Sequence, residues 1–298
     1  MSFSSELKEK LAVVGAACEF CMGAELAGVF KFAGRTAREG ILIATENKAV
    51  AGYICTAAAE CLGVKLQYDY RETSRTYLFS IRDSLTIDNI SASLMLSPPE
   101  DISGMRPFAC CKAAYVRGAF LGGGSISDPA KSYHMEFDAR TEADAKDLAA
   151  VLAELDVPVK ITCRKGHYIV YIKEYEVIAD VLGIIGAGGA AMEIYNISIE
   201  KEIRNNVNRQ VNCENANMDK VADAYCRHLA AIEKIKAGMG LDKLPDTLRE
   251  IAEVRLAYPD ESLKELGARL EKPIGKSGVN HRLARLLEIA DSLKERDS

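Results

Sequence analysis

The sequence predicts an α+β fold: a duplicated unit of helices and strands, followed by an all-α domain of helix-turn-helix type. Three observations carry that expectation. Two glycine-bearing apolar stretches, Leu26-Ala-Gly-Val-Phe-Lys-Phe-Ala-Gly34 and Val116-Arg-Gly-Ala-Phe-Leu-Gly-Gly-Gly124, share one pattern about ninety residues apart. The elements after the first stretch recur in the same order after the second. The carboxy-terminal region then changes character, with short helices, a capping box and a final amphipathic helix with a basic face.

Ser5 to Phe32 reads as mostly helical, with Gly15 or Gly23 as the break. Within it Gly28, like Gly118 in the second copy, removes the side chain that would keep two helix backbones apart. The closing glycines, Gly34 and Gly124, suit helix ends that need φ > 0. Residues 38–45 read as a strand, and Glu46 to Cys61 as an alanine-rich helix ending at Gly63. Val64–Tyr68 and Thr76–Arg82 alternate at period two, as paired strands do. A helix over 87–96 closes the first repeat before Pro98-Pro99.

The second repeat runs through a motif helix over 109–122, a strand at Tyr133–Asp138 and a helix at Glu142–Leu155. Val159–Cys163 matches Val64–Tyr68, His167–Ile172 matches Thr76–Ile81, and a helix near Tyr175–Ile185 completes it. Gly183-x-x-Gly186-x-Gly188-Gly189 reads as a helix end and turn. A phosphate-cradling loop would instead follow a strand.

Beyond Tyr195, residues 205–217 are crowded with asparagine, which favours turns and caps over helix interiors, and read as a connector. A long helix follows over about 218–236. The expected domains are 1–200, with repeats at about 20–97 and 109–200, a connector with its helix at 201–240, and a terminal domain at 241–298.

The 298 residues allow two domains and a sizeable core. No run of about eighteen apolar residues appears, so no membrane span or membrane partner is expected. The amino terminus lacks the apolar region of a signal peptide, which points to the cytoplasm. Nine cysteines then read as reduced thiols, mostly small buried hydrophobes. Cys18-x-x-Cys21 and Cys110-Cys111 invite a metal reading, since Cys21 and Cys111 precede the two motifs at equivalent places. They lack two spaced CxxC units, so neither metal nor other cofactor is assigned. A net charge of −5 means that any phosphate contact must come from a local basic patch.

That patch is sought near the carboxy terminus. Pro245 to Ala257 is a helix with proline at its start, and Ser262-Leu-Lys-Glu265 is a capping box opening a helix over 263–270. Ser277 can cap a last helix running to Leu293. On that helix Val279, Leu283, Leu286, Ala290 and Leu293 share one face. Ser277, His281, Ala284 and Arg285 point the other way, with Asn280 and Arg282 on the flanks. From Lys272 to Arg285 the chain has basic residues and no acid. Arg282 and Arg285 suit guanine edges or phosphate, Asn280 suits adenine, and Lys272 and Lys276 suit backbone charge. Ser262, Ser277, Gly278 and His281 complete the candidate DNA-binding set. A three-helix cap with a solvated charged face would show similar periodicity.

The two motif stretches resemble the LAGLIDADG homing endonucleases, whose motif helices pair at a pseudo-twofold axis. The implied fold is a duplicated LAGLIDADG homing-endonuclease-like domain of pseudo-twofold αββαββα units. In that family the eighth motif residue is a metal-holding acid; here it is Ala33 and Gly123, and neither can ligate a metal. The only acid near the second motif is Asp128, in a turn before Pro129. No catalytic residue is therefore assigned. Ala24-Glu-Leu-Ala27, Arg117–Leu121 with Gly124-Ser125, Asn208-Arg209-x-Val211-Asn212-Cys213, Ser262–Gly267 and Lys276–Leu283 together resemble the WhiA family. That resemblance implies a degenerate nuclease domain without cleavage and a DNA-binding helix-turn-helix. It also implies a nucleoid-associated regulator of transcription, sporulation, cell division or chromosome segregation in Gram-positive bacteria. The partner implied is double-stranded DNA through the terminal domain. Competing readings are a scaffold that binds another regulatory protein, and a residual nuclease. Cys18-x-x-Cys21 departs from the adjacent cysteines expected before the first motif, which puts any cysteine-based role in doubt.

Overall fold

A computed structural model describes residues 2–37, 40–94, 96 and 107–293. Two compact units divide the chain, residues 1–202 and 203–298. The first opens with helix α1 (Phe3–Leu11) and then repeats one order of elements. That order is α2 (Cys21–Ala33), β1 (Gly34–Ala37), β2 (Gly40–Thr45), α3 (Lys48–Leu62), β3 (Tyr68–Arg71), β4 (Thr76–Ile81) and α4 (Ser84–Ser93). Its counterpart is α5 (Ala109–Gly123), β5 (Gly124–Ile126), β6 (Met135–Ala139), α6 (Glu142–Ala153), β7 (Lys160–Arg164), β8 (His167–Ile172) and α7 (Tyr175–Ile184). Both sheets are antiparallel with equivalent strand orders, β1-β2-β4-β3 and β5-β6-β8-β7. This is the αββαββα duplication.

Alternation builds each sheet. Ile41, Ile43, Phe79 and Ile81 turn one face of the first into the core, and Met135, Phe137, Val170 and Ile172 do so in the second. Helices α2 and α5 pack at the centre with almost every residue between Ala24 and Ala33, and between Ala114 and Leu121, buried. A Cβ on Gly28 would overlap the Tyr115 carbonyl oxygen, and one on Gly118 would overlap that of Glu25. One on Gly122 would stand 2.9 Å from the Val29 oxygen, so this pair of helices meets backbone to backbone. Where the backbones cross, Arg117 donates to Glu25 at 2.5 Å and to the Ile185 carbonyl at 3.3 Å.

Several expectations need correcting. Gly34 and Gly124 are extended, with φ of −71° and −80°, so positive φ is not why they are glycine. Space is the reason: a Cβ there would overlap Phe30 and Phe120 of the preceding helix turn. The break in the amino-terminal helical stretch falls between α1 and α2, around Gly15 rather than Gly23. Strands β1 and β5 escaped the alternation test because each is only three or four residues long and continues directly from a motif helix. Strand β3 begins at Tyr68, where Val64–Tyr68 was expected to pair. Helix α4 starts at Ser84, because Asp83 caps it by accepting from the Thr86 N–H at 2.8 Å. Residues 38–39, 95 and Pro98-Pro99 lie outside the described residues.

The asparagine-rich connector is also helical. Helix α8 runs unbroken over Gly188–Gly238. Its start is anchored by Ile194 in the first core, and its end by Ile232 and Ile235 in the second. Residues 202–223 between them are exposed, where an asparagine costs a helix about 0.7 kcal/mol or less and does not break it. The glycine run before α8 is a helix end and turn, with Gly186 at φ +95°. Among the described residues no helix is long and apolar enough to cross a membrane.

Candidate nucleic-acid interface

The second unit is built from the end of α8 with α9 (Asp246–Ala257), α10 (Leu263–Ala268) and α11 (Lys276–Ser292). Leu248, Ile251, Leu266, Leu270, Val279, Leu283, Leu286 and Ala290 close one core with Ile232 and Ile235. Two arginines fix the loop that leads into α10. Arg255, 2% exposed, donates to the Glu261 carbonyl at 2.8 Å. Arg269 grips the Glu261 carboxylate while stacking 3.7 Å over the Tyr258 ring. That loop delivers Ser262, which opens α10 with a complete capping box. Ser262 Oγ accepts from the Glu265 N–H at 3.4 Å, and the Glu265 carboxylate accepts from the Ser262 N–H at 2.8 Å. These hydrogen bonds hold the Glu265 carboxyl below its ordinary pKa.

The turn between α10 and α11 depends on Gly267. The Ile274 N–H donates to the Gly267 carbonyl at 3.1 Å, and a Cβ on Gly267 would overlap the Ile274 oxygen. Gly267→Ala therefore forces the turn open, at a cost of about 1–3 kcal/mol. A lower melting temperature for the second unit, with that of the first unchanged, checks this.

On α11 the faces divide as the periodicity predicts. Val279, Leu283, Leu286 and Ala290 are buried, whereas Ser277, His281, Ala284 and Arg285 are exposed. Lys272 is exposed in the turn. Lys276 and Asn280 flank a groove of about 700 Å³ between α11, α10 and α8. Arg285 pairs with Glu288 at 2.5 Å across an exposed surface, an arrangement that holds little energy and is easily exchanged for another anion.

Three of the candidate residues play parts other than those expected. Arg282 is turned onto α9, donating to the Thr247 carbonyl at 3.3 Å and to Glu250 at 3.5 Å, so it clips two helices together. Ser277 is not the cap; Gly275 precedes the helix, which begins at Lys276, two residues earlier than a Ser277 cap would set it. Gly278 packs on Ile274, whose side chain lies 3.1 Å from the place of a Cβ.

The groove also gathers residues that the sequence reading missed: Lys220, Arg227 and His228 from α8, and Lys264 from α10. The seven-residue spacing of Lys220 and Arg227, two helical turns, was the available signal. His228 is buried there. Burial, then the Arg255 and Arg227 guanidiniums, hold its pKa below the ordinary histidine value.

In the first unit the nuclease positions are closed. Ala33 is buried, and a Cβ on Gly123 would stand 2.8 Å from the Asp138 oxygen and 3.1 Å from Phe32. The nearby acids are engaged: Asp138 with His167 at 2.7 Å, Glu136 with His134 at 3.1 Å, and Asp128 with the Ala130 N–H at 2.9 Å. Among the described residues the one group of three or more candidate metal ligands is Cys18, Cys21, Cys110 and Cys111, at the other end of the motif helices.

Known proteins share this architecture. A family model of the WhiA LAGLIDADG-like domain matches residues 112–204, and one of the WhiA C-terminal HTH domain matches residues 207–290. A probable cell division protein WhiA from Alkaliphilus metalliredigens (strain QYMF) is 39% identical over 98% of both chains. One from Thermoanaerobacter sp. (strain X514) is 41% identical over 99% of both. The crystal structure of full-length DUF199/WhiA from Thermatoga maritima superposes with a TM-score of 0.59, at 27% identity over 98% of this chain and 99% of that one. With both domain models matched and relatives this similar from end to end, the chain belongs to the WhiA family.

Proposed function

We propose that this chain is a non-enzymatic DNA-binding regulator that grips double-stranded DNA with its terminal helix-turn-helix. The observation that carries the reading is α11. Its apolar face is consumed by the core, while its other face offers Lys276, Asn280, His281 and Arg285 beside Lys272. A second helix presented in this way fits the major groove, where arginine and asparagine pair with base edges and lysines take phosphates. Ser262 serves the interface by fixing α10, and Arg282 and Gly278 serve it by fixing α11. The relatives' name, probable cell division protein, supports a role in cell division; transcriptional control of sporulation and chromosome segregation are the finer readings. The protein would then work at the nucleoid in the cytoplasm. The first unit acts as a scaffold, since its nuclease positions hold Ala33 and Gly123.

Fluorescence anisotropy with a labelled duplex tests the reading. Contact with about three to five phosphates gives a log–log salt slope of roughly −3 to −5. Binding that ignores salt would instead indicate an apolar surface made for a protein. Mg²⁺-dependent nicking of supercoiled plasmid would return the first unit to the nucleases.

A further inference from the structure

Four of the nine cysteines converge. Cys18 precedes α2, Cys21 is its first residue, and Cys110 and Cys111 are the second and third residues of α5. Their sulfurs all lie within 4.8 Å of one another; Cys18 Sγ is 3.4 Å from Cys21 Sγ, 3.4 Å from Cys111 Sγ and 3.6 Å from Cys110 Sγ. The other five, at 55, 61, 163, 213 and 226, have no place in this group.

We infer that Cys18, Cys21, Cys110 and Cys111 hold one zinc ion as a structural tetrathiolate joining the two repeats. Geometry gives the first reason. Zinc bound to four thiolates at about 2.3 Å sets the sulfurs about 3.8 Å apart, which is the scale of this cluster. Cys18-x-x-Cys21 supplies the two-residue ligand spacing of structural zinc sites, and the helical turn at the start of α5 presents the other pair. Four soft sulfur donors around one point select zinc over oxygen-seeking cations.

Access gives the second reason. Binding would release the thiol protons to solvent with no change of oxidation state. Burial is graded to match: Cys21 and Cys111 are 1% and 0% exposed, while Cys18 and Cys110 are half-buried. Cys18 also lines a groove of about 600 Å³, which gives an ion a way in.

The position explains what the ion does. Gly28, Gly118 and Gly122 bring α2 and α5 into backbone contact farther along the helices. At their amino-terminal ends it is the four sulfurs that meet, and the ion would clamp them together across the pseudo-twofold axis. This role is independent of DNA binding by the second unit.

The test uses the intact chain, purified under reductant and without chelator. Elemental analysis should find about one zinc per chain, and a thiol-modifying mercurial should release it only as the cluster thiols react, after the exposed thiols at 61, 163, 213 and 226 have been titrated. Cobalt substitution should give the intense visible absorption of a tetrahedral tetrathiolate. Cys21→Ser and Cys111→Ser should lose the ion, whereas Cys163→Ser and Cys213→Ser should keep it. The cobalt spectrum and thiol count are read on the unmodified chain, so they decide the matter even if Cys21→Ser fails to fold. Folded, reduced protein that takes up no zinc from excess would overturn the proposal. So would a cluster found as a disulfide, its mass lower by a hydrogen pair, or zinc retained in both serine variants at 21 and 111.

Discussion

Arg117→Met is expected to destabilise the first unit by about 3–5 kcal/mol, the cost of leaving a buried charge without its partner. Glu25 is 2% exposed and Arg117 6%, and their 2.5 Å ion pair lies where α2 crosses α5. Burial already raises the Glu25 carboxyl above its ordinary pKa, and Arg117 opposes that rise. Removing the guanidinium takes away the main opposition to burial and leaves the weaker one of the Tyr53 hydroxyl, so the pKa climbs further. The sign of the pH dependence follows. A carboxyl whose folded pKa exceeds its unfolded one contributes stability that is present below the unfolded value and lost as pH rises through the folded value. The variant should therefore lag the parent most near neutral pH and recover as the medium is made acidic. Urea denaturation at about pH 5 and about pH 8 measures this, read through the transition of the first unit. Glu25→Gln combined with Arg117→Met should be less damaged near neutral pH than Arg117→Met alone. A deficit equal at both pH values would mean that lost packing, not charge, dominates.

The second large effect is expected on α11. Lys272→Glu, Lys276→Glu and Arg285→Glu together should weaken duplex binding by about a hundredfold or more, because three phosphate contacts become repulsions. All three side chains are exposed, so the core of the unit survives the change. Circular dichroism and melting temperature should match the parent. Arg282→Ala should behave differently, since its guanidinium ties α11 to Thr247 and Glu250. It should lower stability first and affinity only as a consequence.

The contrast between these residues shows how much of the interface was legible in the sequence. Helical periodicity sorts α11 into buried and exposed faces without error at Val279, Leu283, Leu286, Ser277, His281 and Arg285. It does not reveal which neighbour a flanking residue meets. Arg282 falls on the side of α9, and Lys276 and Asn280 fall beside α8, facts that depend on tertiary packing. The fold shows the same division. His167–Ile172 alternates over a full strand and is β8 as read, whereas β1 and β5 are too short to display a period. The motif resemblance implied such strands through its αββαββα order but gave them no residues. Local propensity misled at residues 205–217, where helix anchored at both ends in separate cores overrides the preference of asparagine for turns. At the cysteines, spacing alone was too weak to assign a ligand set. Two segments far apart in sequence meet only because the repeats pair.

The measurement that bears most directly on the central claim is the salt dependence of duplex affinity, compared between the intact chain and the triple variant at 272, 276 and 285. If α11 and its turn grip the DNA, the variant's log–log slope should be shallower by about three, with much weaker affinity at every salt concentration. An unchanged slope and affinity would contradict the account and move the DNA-binding surface to the duplicated unit.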